Sequence, residues 1–225
     1  MTLGADARPH VFVDDLGVPR LSDDDRRHLE RSLRTRPGDE ITISDGADRW
    51  RVAVMGDAIE PAGEIHVVPT AAPKVTVGVS LLKGRKLDLV VQKLTELGVD
   101  RIQLVDAERC VTRWSVDKGD RVLDRFARVA REAAMQSRRC RLPVIESPVP
   151  ASSLLGDADV AVAHMEGEPV TLDRPTIVVG PEGGWSADEL AAARHRVTLG
   201  PHVLRAETAA LAAAALLGAL RISAV

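Results

Sequence analysis

Between the apolar, β-branched run Thr176-Ile177-Val178-Val179 and the segment Ser186-Ala187-Asp188-Glu189-Leu190 lies Gly180-Pro181-Glu182-Gly183-Gly184-Trp185. A short β-branched run reads as a buried strand, and a Ser followed by acidic residues reads as a helix cap, so the glycines occupy a strand-to-helix turn. Gly-Gly alone is an ordinary tight turn. A longer turn holding a proline, an acid and a tryptophan ahead of a cap points to a ligand, because glycines let a bound molecule approach amide and carbonyl groups without meeting a Cβ. A second turn of the same kind follows: strand Val197 to Leu199, then Gly200-Pro201, then an Ala/Leu-rich helix from about Ala206 to Leu220.

The rest of the chain supports a two-part α/β architecture. With 225 residues, the chain is long enough for a substantial core and for one or two domains. Pro69-Thr70-Ala71-Ala72-Pro73 is the one convincing linker and divides the chain into 1–70 and 72–225. Ahead of it, short strands are expected at Val11 to Val13, Glu40 to Ser44, Trp50 to Met55 and Glu64 to Val68. Tight turns at Pro37-Gly38-Asp39 and Asp45-Gly46 and a helix over Arg26 to Leu33, capped by Ser22 or Asp23, complete a small barrel. Beyond it the period changes. Val75 to Ser80 and Arg101 to Val105 read as strands flanking a helix over Lys86 to Leu97, whose apolar residues at 87, 90, 91, 94 and 97 share one face. A second amphipathic helix spans Arg121 to Gln136. A weak strand at Leu142 to Ile145, a break at Pro148 to Pro150, and strands at Asp159 to Ala163 and Thr176 to Val179 follow. A helix at Ala187 to Arg194 completes the α/β pattern of a mainly parallel sheet.

Charge and composition narrow the function classes. The formal net charge is −3, yet Lys83 to Arg141 holds 15 Lys and Arg against 9 Asp and Glu, a basic middle suited to a polyanion or to an ordinary mixed helical surface. Lys83, Arg85 and Lys86 cluster at a strand-to-helix turn, where cations and free helical amides together make an anion site, and Lys93 lies on the same helix face as Lys86. Only Phe12, Phe126, Trp50, Trp114 and Trp185 are aromatic, with no interleaving of Arg and aromatics for stacking single strands, so base recognition is expected in a pocket. The Gly-x-Gly-x-x-Gly and Gly-x-x-x-x-Gly-Lys-Ser/Thr patterns are absent, which disfavours a dinucleotide fold or a P-loop ATPase. Cys110 and Cys140 have no metal-ligand spacing and no disulfide framework, so no metal is expected and the default setting is reducing and cytoplasmic. The apolar run Ala209 to Leu220 is shorter than the roughly 20 residues of a bilayer span and reads as a buried helix. It has no solvated stripe, so a partner subunit is expected to help cover it. His164 at a strand end is open to a base role or, more simply, to a structural role in a loop.

The segments Gly180-Pro181-Glu182-Gly183-Gly184 and Leu199-Gly200-Pro201-His202-Val203-Leu204-Arg205-Ala206-Glu207-Thr208-Ala209 together resemble the C-terminal signature of SPOUT-class RNA methyltransferases. The likeness is greatest to the family that methylates N3 of a uridine in small-subunit ribosomal RNA. Lys83-Gly84-Arg85-Lys86, Glu96-Leu97-Gly98, Arg109-Cys110 and Glu132 through Gln136-Ser137-Arg138-Arg139 resemble further segments of that family. His28-Leu29 through Asp45-Gly46 looks like its PUA-like N-terminal barrel. The opening departs from the family in its lead, Thr2 to Ala7.

The resemblance implies a homodimeric enzyme with a deep trefoil knot in the C-terminal domain. Its methyl donor would be S-adenosyl-L-methionine and its partner the ribosomal RNA or the assembled 30S subunit. It implies a donor site among three loops: His164 with Glu166; Gly180, Pro181, Glu182, Gly183 and Gly184; and Leu199, Gly200, Val203 and Leu204, with Ala209 in the last helix. It also implies RNA contacts by Arg8, Arg34, Lys83, Arg85, Lys86, Lys93, Arg109, Gln136, Arg138 and Arg139. For chemistry the candidates are Arg205, as an anion-stabilising fork near a helix N-terminus, and Glu207, as proton acceptor or as cap. Two rival readings remain: a SPOUT enzyme acting elsewhere on RNA, such as a ribose 2′-hydroxyl, and a non-catalytic RNA-binding assembly protein.

Overall fold

Contacts in the computed structural model group the chain into two units, Met1–Thr70 with Arg131–Leu142, and Ala71–Ala130 with Pro143–Val225. The described residues are Leu3, 6–114 and 116–223, so Thr2, Gly4 and Ala5 of the N-terminal lead lie outside them. The linker at residue 71 predicts a division there and nowhere else. The contacts add a second exchange, with the segment Arg131–Leu142 joining the first unit.

The first unit holds β1 (His10–Phe12), α1 (Asp23–Arg27), β2 (Glu40–Ser44), β3 (Arg49–Val54) and β4 (Glu60–Val67). The strands form one sheet in the order β1-β2-β3-β4, with β1 parallel to β2 and the other pairs antiparallel. Ser22 caps α1, its hydroxyl accepting from Asp25 N at 3.1 Å, and a π-type turn over His28–Ser32 continues it. The wider turn fits a helix that the sequence pattern extends to Leu33. At the Asp45-Gly46 hairpin, the Asp45 carboxylate accepts from the backbone N–H groups of Ala47, Asp48 and Arg49, so side chain and backbone close the turn together. The core is Val11, Phe12, Leu16, Leu29, Ile41, Ile43, Ala53, Met55 and Ile59, joined by Ala134 and Met135. Arg131 donates to Asp25 Oδ2 at 2.7 Å and to Phe12 O at 3.0 Å, so the added segment contributes both apolar and ionic contacts.

The second unit is a six-stranded, wholly parallel sheet in the order β10-β8-β9-β5-β6-β7. Its elements are β5 (Thr76–Ser80), α2 (Lys86–Glu96), β6 (Arg101–Asp106), most of α3 (Val116–Gln136), β7 (Val144–Pro150), β8 (Val160–Glu168), β9 (Thr176–Val179), α4 (Ala187–Ala192), β10 (Arg196–Val197) and α5 (Ala206–Ser223). The α2 pattern folds with Leu87, Val90, Val91 and Leu94 buried, but the helix ends at Glu96, and Leu97, expected on the same face, is its C-cap and is exposed. Several elements differ from their sequence patterns: β10 is Arg196–Val197 where Val197 to Leu199 is expected, and α4 ends at Ala192 ahead of the expected Arg194. Helix α3 begins at Val116, ahead of the expected Arg121. Strand β7 runs through Pro148 to Pro150 where a break is expected; it pairs with β6 alone, and an edge strand tolerates missing N–H donors. Strand β8 continues past Ala163 to Glu168, because its end pairs with β10 through Val197↔Glu168.

Helix α5 spans 18 residues and by length and composition alone is long and apolar enough to cross a membrane. In the fold Ala206, Ala209, Ala210, Ala213, Ala214 and Leu217 are buried, and the helix packs on α2, β5 and β9. Small alanines let it lie close to the sheet. Its Arg221 is held by Asp100 Oδ2 at 2.5 Å and Gly98 O at 2.9 Å.

Candidate active site

Beside the middle of β8 and the carboxyl end of β9 the second unit holds an open cavity of about 640 Å³, within the range of small-molecule sites. Its walls come from three stretches that the parallel sheet brings side by side: Ala163 to Met165 on β8, Val179 to Trp185 after β9 and Leu199 to Ala206 after β10. Ser80 on the neighbouring strand donates to Val179 O at 2.9 Å and fixes the end of β9. Ser186 caps α4 reciprocally: its hydroxyl accepts from Glu189 N at 3.2 Å, and its own N–H donates to Glu189 Oε2 at 2.9 Å. The Gly180–Trp185 turn is therefore anchored at both ends.

Trp185 forms part of the cavity wall and donates from Nε1 to Ala163 O at 3.3 Å, joining the first stretch to the second. A Cβ on Gly180 would stand 2.9 Å from the Trp185 ring, so glycine is needed there for the tryptophan to pack. Gly184 adopts φ 71°, the left-handed conformation that favours glycine. In the third stretch Thr198 closes the turn, donating to Gly200 O at 3.1 Å.

The cavity brings together His164, Gly180, Pro181, Glu182, Gly184, Leu199, Gly200, Val203, Leu204, Arg205 and Ala209 from the sequence-derived candidates. Two expected donor-site residues do not line it. Glu166 lies on the extended part of β8, where its N–H donates to His164 Nδ1 at 3.2 Å. Gly183 faces Arg109 instead, its carbonyl accepting from Arg109 Nη1 at 3.3 Å. The His164 ring is thus used as a backbone acceptor. Met165, Trp185, Leu190 and His202 also line the cavity, and sequence reasoning leaves them unassigned. A tryptophan inside a glycine turn is a signal for such a role; the others carry none until β8 and β10 are paired.

Lys86, a candidate RNA contact from its position at a helix start, also lines the cavity. Its Nζ donates to Glu182 Oε1 at 2.8 Å and lies 3.6 Å from Glu207 Oε2. The Glu182 hydrogen bond, with Glu207 behind it, holds the Lys86 ammonium above the ordinary lysine range. Burial pushes the Glu182 carboxyl up, but hydrogen bonds from Lys86 and from the backbone N–H groups of Glu182 and Lys83 outweigh it and hold the group below the ordinary range. Glu207 Oε2 is enclosed and has no hydrogen-bond partner other than this longer approach to Lys86.

The candidate RNA contacts divide between the units. In the second, Lys83 and Arg85 are exposed, Arg85 lying 3.6 Å from Asp88, while Lys93 is paired with Glu96 at 2.8 Å. In the first, Arg8 pairs with Asp6 at 2.8 Å and Glu40 at 2.9 Å, and Arg138 donates to Ala7 O at 3.0 Å. Arg34 (φ 57°) and Arg138 (φ 53°) both adopt left-handed backbone conformations. Gln136 is exposed and Arg139 half-buried. Among the described residues no group of His, Cys, Asp and Glu is placed to hold a metal ion.

Comparison with known proteins shows the family. The RNA methyltransferase domain family matches residues 70–218, and the RNA methyltransferase PUA domain family matches residues 21–63. Ribosomal RNA small subunit methyltransferase E of Mycobacterium tuberculosis is 34% identical over 237 residues, covering 93% of this chain and 90% of that protein. The Bacillus subtilis protein of the same name is 33% identical, covering 88% of this chain and 89% of its own length. The crystal structure of ribosomal RNA small subunit methyltransferase E from Neisseria gonorrhoeae, bound to S-adenosyl methionine, matches with a TM-score of 0.79 at 27% identity, over 95% of this chain and 98% of that one. The chain belongs to the ribosomal RNA small subunit methyltransferase E family, with an RNA methyltransferase domain that carries the cavity.

Proposed function

We propose that this protein transfers a methyl group from S-adenosyl-L-methionine to N3 of a uridine in small-subunit ribosomal RNA. The observation that carries this reading is the cavity built from three loop stretches, with Leu199, Val203, Leu204 and the exposed Arg205 in its lining. The residues fit the donor. Nothing lies within 4 Å of the Cβ position of Gly184, so backbone is open there, the apolar lining suits an adenine, and the cavity volume suits a nucleoside-sized ligand. When bound, the donor supplies an electrophilic methyl on a sulfonium.

Uridine N3 carries a proton at neutral pH and becomes a good nucleophile only as that proton leaves. Negative charge then develops on the ring and its O2 and O4. Arg205 offers a planar fork of N–H donors at the start of α5, where the helix N-terminus adds its own positive potential, and is assigned to that charge. Glu207 presents its enclosed Oε2 to Lys86, which favours a role in holding Lys86 and Glu182 at the cavity wall over taking the N3 proton. Solvent or a backbone-held water then accepts the proton.

A homodimer belongs to the same proposal. Leu216, Leu220 and Ile222 on α5 are exposed, Ile222 to 80%, and Val203 at the cavity is exposed to 84%; a second copy would cover this apolar surface. The trefoil knot implied by the family resemblance, and a place in the cytoplasm where bacterial ribosomes assemble, complete the reading. Methylation of small-subunit particles with labelled donor, followed by mapping and nucleoside digestion, tests it. Label on a uracil base is expected; label on a ribose, or none, overturns the assignment. Sedimentation of the purified protein tests the dimer.

A further inference from the structure

The loop after β6 is fastened to the turn that walls the cavity. Glu108 N donates to Glu189 Oε1 at 2.9 Å, while the other oxygen of the same carboxylate takes the N–H of Ser186 at 2.9 Å. One side chain therefore ties the β6–α3 loop to the cap of α4. One residue further on, Arg109 Nη1 donates to Gly183 O, and a Cβ on Gly183 would stand 3.2 Å from Arg109 Cβ and 3.4 Å from Arg109 O. The absence of a side chain at Gly183 serves this contact rather than the cavity. From its other side the loop is held by Arg113, which pairs with Asp106 and donates to Ala107 O at 3.0 Å and Glu108 O at 2.9 Å. Arg109 is an exposed residue, and its bond to Gly183 O is itself exposed. A guanidinium has five N–H donors, and the bond to Gly183 uses one.

We propose that Arg109 and Glu189 form a strap that couples the donor cavity to bound RNA: a phosphate on the outer donors of Arg109 fixes the guanidinium, and through Gly183 the cavity turn. The inference rests on the proposed function and concerns positioning, since neither side chain lines the cavity. Its sign follows from the shared contact. A phosphate that holds Arg109 on Gly183 O favours the arrangement of the turn that lines the cavity, and a ligand in the cavity favours that same arrangement. By linkage the two ligands then strengthen each other by the same factor.

The test is calorimetric titration of the full-length protein with S-adenosyl-L-homocysteine, the non-reacting demethylated donor, in the absence and presence of saturating small-subunit ribosomal RNA transcript. In the native protein, RNA is expected to tighten this ligand at least fivefold. In Arg109→Ala and Glu189→Gln the factor should fall toward one, while affinity without RNA changes less than the coupling does. Arg109→Lys keeps the charge but lacks the fork, and should also lose most of the coupling. Gly183→Ala, which pushes against Arg109 from the other side, gives the same loss if the contact is the conduit. An unchanged factor in both Arg109 variants, or no tightening in the native protein when both ligands bind, overturns the strap. Failure of the native protein to bind either ligand overturns the proposed function first, and the strap with it.

Discussion

The two units treat polar groups in their interiors in opposite ways. The first buries ionisable side chains: His10 is 2% exposed, with Nδ1 at 3.0 Å from Thr42 Oγ1 and Nε2 at 3.1 Å from Ser44 Oγ, and Asp6 and Asp25 are buried beside arginines. In the second, the buried polar side chains among the described residues are the hydroxyls of Ser80, Thr95 and Ser186, and those of Ser80 and Thr95 donate to backbone carbonyls. A small unit buries a smaller fraction of its surface and relies more on polar cross-links. The larger one fills its sheet with aliphatic residues, and its ion pairs, among them Lys86 with Glu182 at the cavity wall, are made by half-buried or exposed residues. Proton concentration should therefore act on the first unit through its stability, and on the second through its ligands.

The largest expected effect is the acid sensitivity of the first unit. Burial, reinforced by the nearby Arg131 and Arg138, lowers the His10 pKa from 6.5 to about 4, against the opposing influence of the Thr42 hydrogen bond and Asp6. Because the folded value is the lower one, the unfolded chain takes up the proton first. The stabilisation is complete above pH 6.5 and is lost as pH falls to about 4, to the extent of about 3 kcal/mol. Denaturant unfolding followed through the single tryptophan of that unit, Trp50, should show this slope in a Trp114→Phe, Trp185→Phe background, and His10→Gln should remove it. The same slope in the His10 variant would place the acid-sensitive group elsewhere and break the contrast between the units.

Next in size is Arg205. Under single-turnover conditions with donor and RNA both saturating, Arg205→Ala should slow methyl transfer at least 100-fold, equivalent to about 2.7 kcal/mol, without altering the acid transition of the first unit. Turnover close to that of the native protein would remove Arg205 from the chemistry. Glu207→Gln sharpens the point, because a residue that holds Lys86 should change donor affinity more than the pH profile of the chemical step.

A smaller effect is expected at Gly180. In Gly180→Ala the new methyl meets the Trp185 ring at 2.9 Å, so the ring must move and loosen its bond to Ala163 O. Donor affinity should fall about tenfold, or about 1.4 kcal/mol, measured by calorimetry on a variant that remains folded. Native affinity there would mean that Trp185 is not part of the donor wall. The smallest expected effect separates two neighbouring lysines. Lys83→Gln should lower the log-log salt slope of RNA binding by about one unit, as loss of one phosphate contact does. Lys86→Gln should lower it less, because Glu182 and Glu207 already neutralise that ammonium. Equal slopes for the two variants would erase the distinction between a solvent-facing cation and one committed to the cavity.

Local sequence chemistry determined the elements and the main site segments. The period of Leu87, Val90, Val91 and Leu94, the Ser186-x-x-Glu189 cap, the Asp45-Gly46 hairpin and the two glycine turns each act over a few residues, where backbone preference and side-chain spacing suffice. Tertiary structure decided what depends on distant partners. Strand β8 reaches Glu168 because β10 pairs with its end, and of its residues Ala163, His164 and Met165 line the cavity while Glu166 does not. Gly183 serves Arg109, and Lys86 serves Glu182, through contacts spanning 74 and 96 residues of chain. Arg131–Leu142 joins the first unit because Arg131, Ala134 and Met135 find their partners there, although they sit in a helix that begins in the second. His10, which carries no motif, becomes the most pH-sensitive residue of its unit only when β2 folds over it and removes it from water. The charge of a lysine or the ring of a histidine is written in the chain; whether it meets solvent, a carboxylate or a hydroxyl is set by which strands lie side by side.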